Sequence, residues 1–577
     1  MYILGINAYH GDSAAALLKD GKVICAIEEE RIRRIKHWAG FPSEAIKFCL
    51  KDAGITVNDV DYITIGRNPS AHLLKKAVRS INKILNPKFL KDRASNISKV
   101  LNIKSELAHA LAIAPASLIA QIKHIEHHRS HMASAFFASP FNHSAILSID
   151  GFGDFSSTMI GTGERNKINV IDSVTYPHSL GIFYTALTQF LGFPFYGDEY
   201  KVMGLAPYGK PKYVDKLRNV VKIKNNGLFE LNEKYFIHST VGVAMTWENG
   251  APFIDKLYSG KLIEEFGKPR DKEELLTEYH KDLAASVQLL CEEVIFHILN
   301  HLYKKTGIKN ICIAGGVAQN SVANGKVLQK TPFEKVYIPS AGYDAGTAIG
   351  SALWLYNQVL GNERAEFTRS AYFGAHYPDD EIEDVLKKNN VVYKRLKDES
   401  ETIEKAAELL ANGAVIGWFQ GRTEFGPRAL GNRSVLVHPG RPDAKDLINS
   451  KIKRRESFRP FAPSILREYV SEYFESDDDV FFMEKVFLIK KDKRTKLPAV
   501  THVDGTGRLQ TVHKDISPLY YKLIDRFREK TGLPVLLNTS FNENEPIVNT
   551  PQEALDCYLR TEMDALVMGN CIVERKL

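Results

Sequence analysis

Short apolar runs, each closed by one small polar residue, set the pattern of the first half of the chain. Ile3-Leu-Gly-Ile-Asn7 is such a run, and Ile146-Leu-Ser-Ile-Asp150 repeats it. Each run enters a turn containing glycine: Tyr9-His10-Gly11-Asp12-Ser13 in one copy, Gly151-Phe152-Gly153-Asp154 in the other. A second strand pattern follows each turn, from Ala14 to Leu18 and from Ser156 to Ile160. Lys19-Asp20-Gly21-Lys22 is a two-residue hairpin signal, so Val23 to Ile27 reads as a third strand.

Longer patterns with helical spacing follow. His127 to Phe137 and Asp271 to Tyr303 predict helices, and Asn310 to Ala314 predicts a strand running into Gly315-Gly316. Ala348 to Leu360 predicts a closing helix rich in small residues. The repeated strand motif predicts a duplicated actin-like (ribonuclease H-like) α/β domain over residues 1–362, with strand-end carboxylates of the two halves facing one cleft. Gly361 to Phe373 reads as a linker, and residues 374–577 as a second α/β domain.

Charge changes this picture in one place. The formal net charge is +7, and the stretch from His72 to Lys99 carries eight basic residues against Asp92 alone. A basic insertion over about 72–101 accounts for it, and so does a surface for an anionic membrane or RNA partner. Phe89 is the only aromatic residue interleaved there, and no stacking motif of the usual RNA modules occurs, so nucleic acid is not the expected partner. No stretch predicts a membrane span. The start of the chain passes directly into a strand pattern with no basic-then-apolar leader, and the six cysteines are scattered without CxxC spacing. Both features lead us to expect a cytoplasmic protein.

The candidate chemistry lies in three clusters. His127 and His131 are four residues apart on one predicted helix, so both imidazoles share a face. Asp150 ends a strand, and Asp344 precedes a helix in Gly342-Tyr-Asp-Ala-Gly346. Two imidazoles with carboxylates suit Fe(II), Mn(II) or Zn(II). Gly315-Gly316, followed by Asn320, places backbone N–H groups where a phosphate or nucleotide is bound at a helix start. Near residue 430, glycines interleave with Gln420, Arg422, Arg428 and Arg433. Lys453 and Arg459 follow, then Arg508, then Asn538 and Ser540. Glycine lets backbone approach closely, and guanidinium groups bind polyanions.

Taken together, Gly5 to Ala16, Glu29-Glu30-Arg31, Arg34 to His37, His127 to His131, Lys201 to Gly209, Ala314 to Gly325, Gly426 to Ser434, Phe458 to Pro463 and Asn538 to Asn542 resemble the O-carbamoyltransferases of the nodulation-factor, cephamycin and tobramycin type. The likeness runs along nearly the whole chain in the family's order. It implies a metal-containing first domain like the transferase that makes threonylcarbamoyl-adenosine, and a second domain like YrdC. It implies that ATP (with Mg) and carbamoyl phosphate form carbamoyl-AMP in the second domain. It implies transfer in the first to a hydroxyl of a small-molecule natural product or sugar. By motif match, His127, His131, Asp150 and Asp344 would hold Fe(II). Arg428, Lys453 and Arg508 would bind carbamoyl phosphate, Asn538 and Ser540 would contact the adenylate, and His10 and Lys36 would line the transfer site. The motif here reads His-Gly-Asp-Ser where some members read His-Asp-Ser, which bears on the placement of His10. A fused tRNA threonylcarbamoyl synthase and an actin-like sugar kinase are the rival expectations, with a nucleotide-sensing module behind them. A homo-oligomer is compatible with the chain.

Overall fold

In a computed structural model, the protein is described over residues 1–73, 75, 76, 102–243 and 245–575. The basic stretch lies outside the described residues except at positions 72, 73, 75 and 76. The chain divides into two compact units, Met1–Thr368 and Arg369–Leu577.

The first unit holds two five-stranded sheets built in the same way. One comprises β1 (Tyr2–Asn7), β2 (Ala14–Lys19), β3 (Lys22–Glu28), β4 (Tyr62–Ile65) and β5 (Gln121–His124), in the order β3-β2-β1-β4-β5. The other comprises β6 (His143–Gly153), β7 (Ser156–Glu164) and β8 (Lys167–Thr175), with β13 (Asn310–Ala314) and β14 (Lys335–Tyr337), in the order β14-β13-β6-β7-β8. In each, the first strand is antiparallel to the second and parallel to the fourth. The duplication expected from the repeated motif is therefore present strand for strand. Among the described residues, two small ribbons, β9 (Val221–Ile223) with β10 (Phe229–Leu231) and β11 (Met245–Glu248) with β12 (Ala251–Ile254), complete the unit's strands. The β2–β3 hairpin turns on Asp20 and Gly21, both at positive φ (49° and 78°), as the right-handed twist of a two-residue hairpin requires.

Two helices pack against each other beside these sheets: His127–Phe136 on β6 and β13, and Gly346–Leu353 on β1 and β2. Their backbones approach closely because small residues stand at the crossing. A Cβ on Gly350 would lie 1.8 Å from the Ser130 carbonyl oxygen, and one on Gly5 would lie 1.9 Å from that of Ala348. The sequence Gly-Thr-Ala-Ile-Gly-Ser-Ala-Leu thus serves packing. The closing helix begins at Gly346, two residues before its expected start, and its second half, Trp354–Val359, is a π-turn. The expected 271–303 helix instead runs Glu278–Thr306, started by a capping box between Thr277 and His280.

The second unit is built on one mixed nine-stranded sheet. Its strands are β15 (Lys394–Arg395), β16 (Ile416–Phe419), β17 (Arg433–Val437), β18 (Ala462–Leu466), β19 (Lys485–Leu488), β20 (Thr506–Val512), β21 (Val535–Ser540), β22 (Ala565–Met568) and β23 (Cys571–Glu574). The order is β15-β23-β22-β16-β17-β21-β18-β20-β19. Alternation along each strand feeds two cores, because successive side chains leave opposite faces. Ile416, Trp418, Leu436 and Leu536 pack with helices Glu399–Ala411 and Pro518–Thr531. Phe419, Val435, Val437 and Leu537 pack with helices Asp379–Lys388 and Pro551–Arg560. Among the described residues no helix is long and apolar enough to cross a membrane.

Candidate functional site

In the first unit, the ends of the two crossing helices and a bulge in β6 bring four ligand-type side chains together. The His127–Phe136 helix starts with its orphan N–H groups satisfied by acids. Glu126 accepts from Arg129 N at 2.8 Å, and Asp154 accepts from His127 N at 2.9 Å. The register of β6 against β7 breaks between Ile149 and Gly153, and Asp150 lies in that break. A bulge of this kind re-aims a side chain out of the ladder. Asp344 comes from the loop just before Gly346–Leu353.

The Nε2 atoms of His127 and His131 are 3.1 Å apart. Asp150 Oδ2 lies 2.9 Å from His131 Nε2 and 3.5 Å from His127 Nε2. Asp344 Oδ1 lies 3.4 and 3.5 Å from the same two nitrogens. One ligand atom from each of the four falls within 4.8 Å of the others, and all four residues are buried. Burial opposes charging the His127 ring, but hydrogen bonds to Asp150 and Asp344 outweigh it and raise its pKa well above the ordinary value. Asp150 is lowered: burial and the Asp344 charge act upward, and the two imidazoles prevail. His128, between them in sequence, faces away and bonds the Ser148 hydroxyl at 2.7 Å.

The donor set fits a metal. Two imidazole nitrogens this close share at most one proton along their line. Two buried carboxylates meeting in one place repel unless a cation lies between them. Two nitrogens and two carboxylate oxygens suit a divalent ion of the Fe(II), Mn(II) or Zn(II) type.

His10 stands against this cluster. Its Nδ1 pairs with Asp344 and its Nε2 lies 3.2 Å from the Phe152 carbonyl oxygen, so both ring nitrogens are engaged. Lys36 is exposed. Its charge acts on Glu30 and His37. His37 Nδ1 contacts Asp12 Oδ1 at 2.7 Å. Burial acts against charge on His37, and the Asp12 carboxylate more than offsets it, raising the ring to about 9.

Gly316 reaches the same cleft: a Cβ there would be 2.7 Å from Asp150 Oδ1. The glycine pair does not open a helix directly. Gly315 adopts φ 101°, a 3₁₀ turn spans Gly316–Gln319, and the helix Ser321–Lys330 begins afterwards. Asn320 caps that helix through Ala323 N at 3.0 Å and exchanges amide hydrogen bonds with Gln288, so its side chain is already engaged in structure.

In the second unit, the arginines separate into two groups. Arg508, on β20, is the centre of one. Burial, and then the charges of Arg428, Arg455 and Arg459, hold its guanidinium well below the ordinary arginine range. Among the described residues its Nε, like that of Arg433, has no hydrogen-bond partner. His502 faces this group. Burial together with Arg508 and Lys445 outweighs the pull of Asp504 and lowers it to about 4, so the ring is neutral at pH 7. Its Nδ1 lies 3.0 Å from the Thr506 hydroxyl. Guanidiniums clustered in this way suit an anionic ligand.

Arg433 belongs to the other group. Its guanidinium donates to the carbonyl oxygens of Gln420, Gly421, Ala375 and Asn432, and it stacks 3.7 Å from the Phe419 ring. Burial lowers it to about 10. Gln420 bonds the Gly569 carbonyl at 3.0 Å, and Arg422 donates to that of Phe373 at 3.2 Å. These side chains hold the loop. Glu424 shapes it further, because its Oε1 accepts from the N–H groups of Leu430, Asn432 and Arg433. Asn538 donates toward Ala429 O, Ser464 Oγ and Gln510 Oε1, which braces the loop from behind.

Lys453 is also internal. Its ammonium bonds the Ser540 carbonyl, Asn542 O at 2.8 Å and Asn542 Oδ1 at 2.6 Å, with Ser540 Oγ at 3.2 Å. It ties the π-turn Ile448–Lys453 to the end of β21. Lys453→Met should therefore cost about 3 kcal/mol of folding stability, since buried acceptors lose their donor. A urea titration checks this, and an unchanged midpoint would show that the ammonium is not bound there.

Residues 2–353 match the carbamoyltransferase N-terminus and residues 407–575 the carbamoyltransferase C-terminus. An uncharacterised protein of Synechocystis sp. is 42% identical in an alignment of 609 residues, covering 100% of this chain and 97% of that protein. The nodulation protein NolNO of Sinorhizobium fredii is 38% identical over 580 residues, covering 99% of this chain and 80% of that protein. The crystal structure of HypF from T. kodakarensis aligns at a TM-score of 0.30 and 14% identity, over 62% of this chain and 48% of that one. The fold rests on the strand orders above and not on that last likeness. By both of its family matches and by its full-length relatives, the chain belongs to the carbamoyltransferases.

Proposed function

We propose that the protein is an ATP- and carbamoyl-phosphate-dependent O-carbamoyltransferase with one half-reaction in each unit. The observation that supports it is the separation of two chemistries within one carbamoyltransferase chain. A buried His/Asp cluster lies in the first unit, with its duplicated sheets, and a knot of arginines lies in the second.

In the second unit, Arg508, with Arg428, Arg455 and Arg459 around it, binds the phosphates. Water takes the phosphoryl group of carbamoyl phosphate, leaving carbamate. A carbamate oxygen then attacks the α-phosphorus of ATP and expels pyrophosphate, which gives carbamoyl-AMP. The arginines meet the charge as it shifts among phosphate oxygens. The internal ties of Arg433, Glu424, Asn538 and Lys453 keep the binding loop from reorganising.

In the first unit, a substrate hydroxyl attacks the carbamoyl carbon and AMP leaves. His127, His131, Asp150 and Asp344 would hold the metal, Fe(II) on the family's pattern, which when bound supplies Lewis-acid polarisation. The acceptor is a hydroxyl of a sugar or other small natural product.

Purified protein should release AMP and pyrophosphate from ATP only when carbamoyl phosphate is present, as followed by coupled pyrophosphate detection. ADP formed without carbamoyl phosphate would instead establish a kinase.

A further inference from the structure

Tyr196 is drawn into the first unit's cleft from a loop between the helices Leu180–Phe190 and Glu199–Leu205. The loop is held in place: Asp198 Oδ2 accepts from Phe195 N at 3.3 Å, and Lys201 Nζ pairs with Asp198 Oδ1 at 2.9 Å. Gly197, at φ 83°, lets the backbone pass the His37 ring, since a Cβ there would be 2.5 Å from His37 Nε2. The Tyr196 ring meets His37 edge-on, with centroids 5.3 Å apart.

The phenol tip lies over Gly11, between His10 and Asp12 in sequence. A Cβ on Gly11 would be 2.1 Å from Tyr196 Oη. Burial, then the charges of Asp12, Asp344 and Asp150, raise the phenol well above its ordinary pKa, so it keeps its proton. Two of those acids belong to the four-residue cluster. Yet among the described residues the hydroxyl makes no hydrogen bond, and it is not among the side-chain atoms sealed from solvent. A neutral donor without a partner among the described residues, over the turn that follows His10 and within reach of the Asp344 and Asp150 charges, has a natural role toward a ligand's oxygen.

We propose that Tyr196 is a catalytic residue of carbamoyl transfer, whose hydroxyl donates a hydrogen bond to the carbamoyl oxygen as it gains negative charge. The inference rests on the first unit being the transfer site. The step balances in the usual way for acyl transfer. The acceptor oxygen bonds to the carbamoyl carbon, the carbonyl electron pair moves onto oxygen and returns, the bond to AMP breaks, and the acceptor's proton passes to solvent.

The test uses the full chain loaded with Fe(II) and synthetic carbamoyl-AMP, with water as acceptor and AMP release as readout. Tyr196→Phe should lower kcat about 100-fold, the size of a lost oxyanion donor, with KM unchanged. Bound metal by elemental analysis and the thermal melt should stay as in the wild type, since the hydroxyl supports no contact within the fold. Gly11→Ala should slow release too, by displacing the hydroxyl, and should add little on top of Tyr196→Phe. Equal kcat in wild type and Tyr196→Phe would overturn the role of Tyr196 alone. No acceleration of AMP release by the wild type would overturn it together with the placement of transfer in the first unit.

Discussion

The His127→Ala/His131→Ala protein is expected to lose bound metal and carbamoyl transfer while still releasing pyrophosphate in the presence of carbamoyl phosphate. Both imidazoles point their Nε2 atoms at the same spot between Asp150 and Asp344. Without them, only two carboxylate ligands remain. Losing a Lewis acid removes several kcal/mol of transition-state stabilisation, about a thousand-fold in rate. On the proposed scheme the adenylate forms in the other unit, so its formation should persist and the product should be lost to water. Some thermal stability should also be lost, because the imidazoles now offset two buried carboxylates. Elemental analysis, transfer from synthetic carbamoyl-AMP and pyrophosphate release together decide the matter. Failure of pyrophosphate release in protein with a native circular dichroism spectrum would mean one composite site, and the two-site scheme would be wrong.

Much of the first unit is legible in the sequence because its features are local. The repeated apolar run predicts two strands with the same neighbours, and the sheets share one order. The four-residue spacing of His127 and His131 fixes a shared helix face without any tertiary knowledge. The bulge that turns Asp150 is not readable, since it depends on the register of β6 against β7. Nor is Tyr196: it reaches Gly11 from a loop far along the chain, and only assembly of the two halves brings them together.

The second unit is harder to read for a definite reason. A run of glycines and arginines suits an anion, but it does not say which arginines would meet one. Arg433 begins β17 on the face of Phe419, where burial requires its N–H groups to find carbonyl partners. Arg508, on a strand two places away from β21, gathers like charge instead, from Arg428, Arg455 and Arg459. Arg455, in the same motif as Lys453, joins the arginine knot, while Lys453 turns inward. Sequence places these residues side by side, and only the fold tells them apart.

That contrast makes Arg508→Ala the sharper test of the second unit. The variant should slow carbamoyl-phosphate-dependent pyrophosphate release by about 30- to 1000-fold, the loss of roughly 2–4 kcal/mol from a charge-assisted phosphate contact. Its stability should not fall, and should rise slightly. The Arg508 pKa is depressed in the folded protein, by burial first and then by Arg428, Arg455 and Arg459. A cation whose folded pKa lies below its unfolded value opposes folding at neutral pH, so removing it relieves the native state. Inorganic phosphate should raise the melting temperature of the wild type more than that of the variant, because the ligand binds only the folded form. Transfer from synthetic carbamoyl-AMP should be unaffected, as the proposed scheme assigns that step to the first unit. A variant that releases pyrophosphate at the wild-type rate, or one that loses both half-reactions with an intact melt, would remove Arg508 from the anion site and with it the assignment of adenylate formation to the second unit.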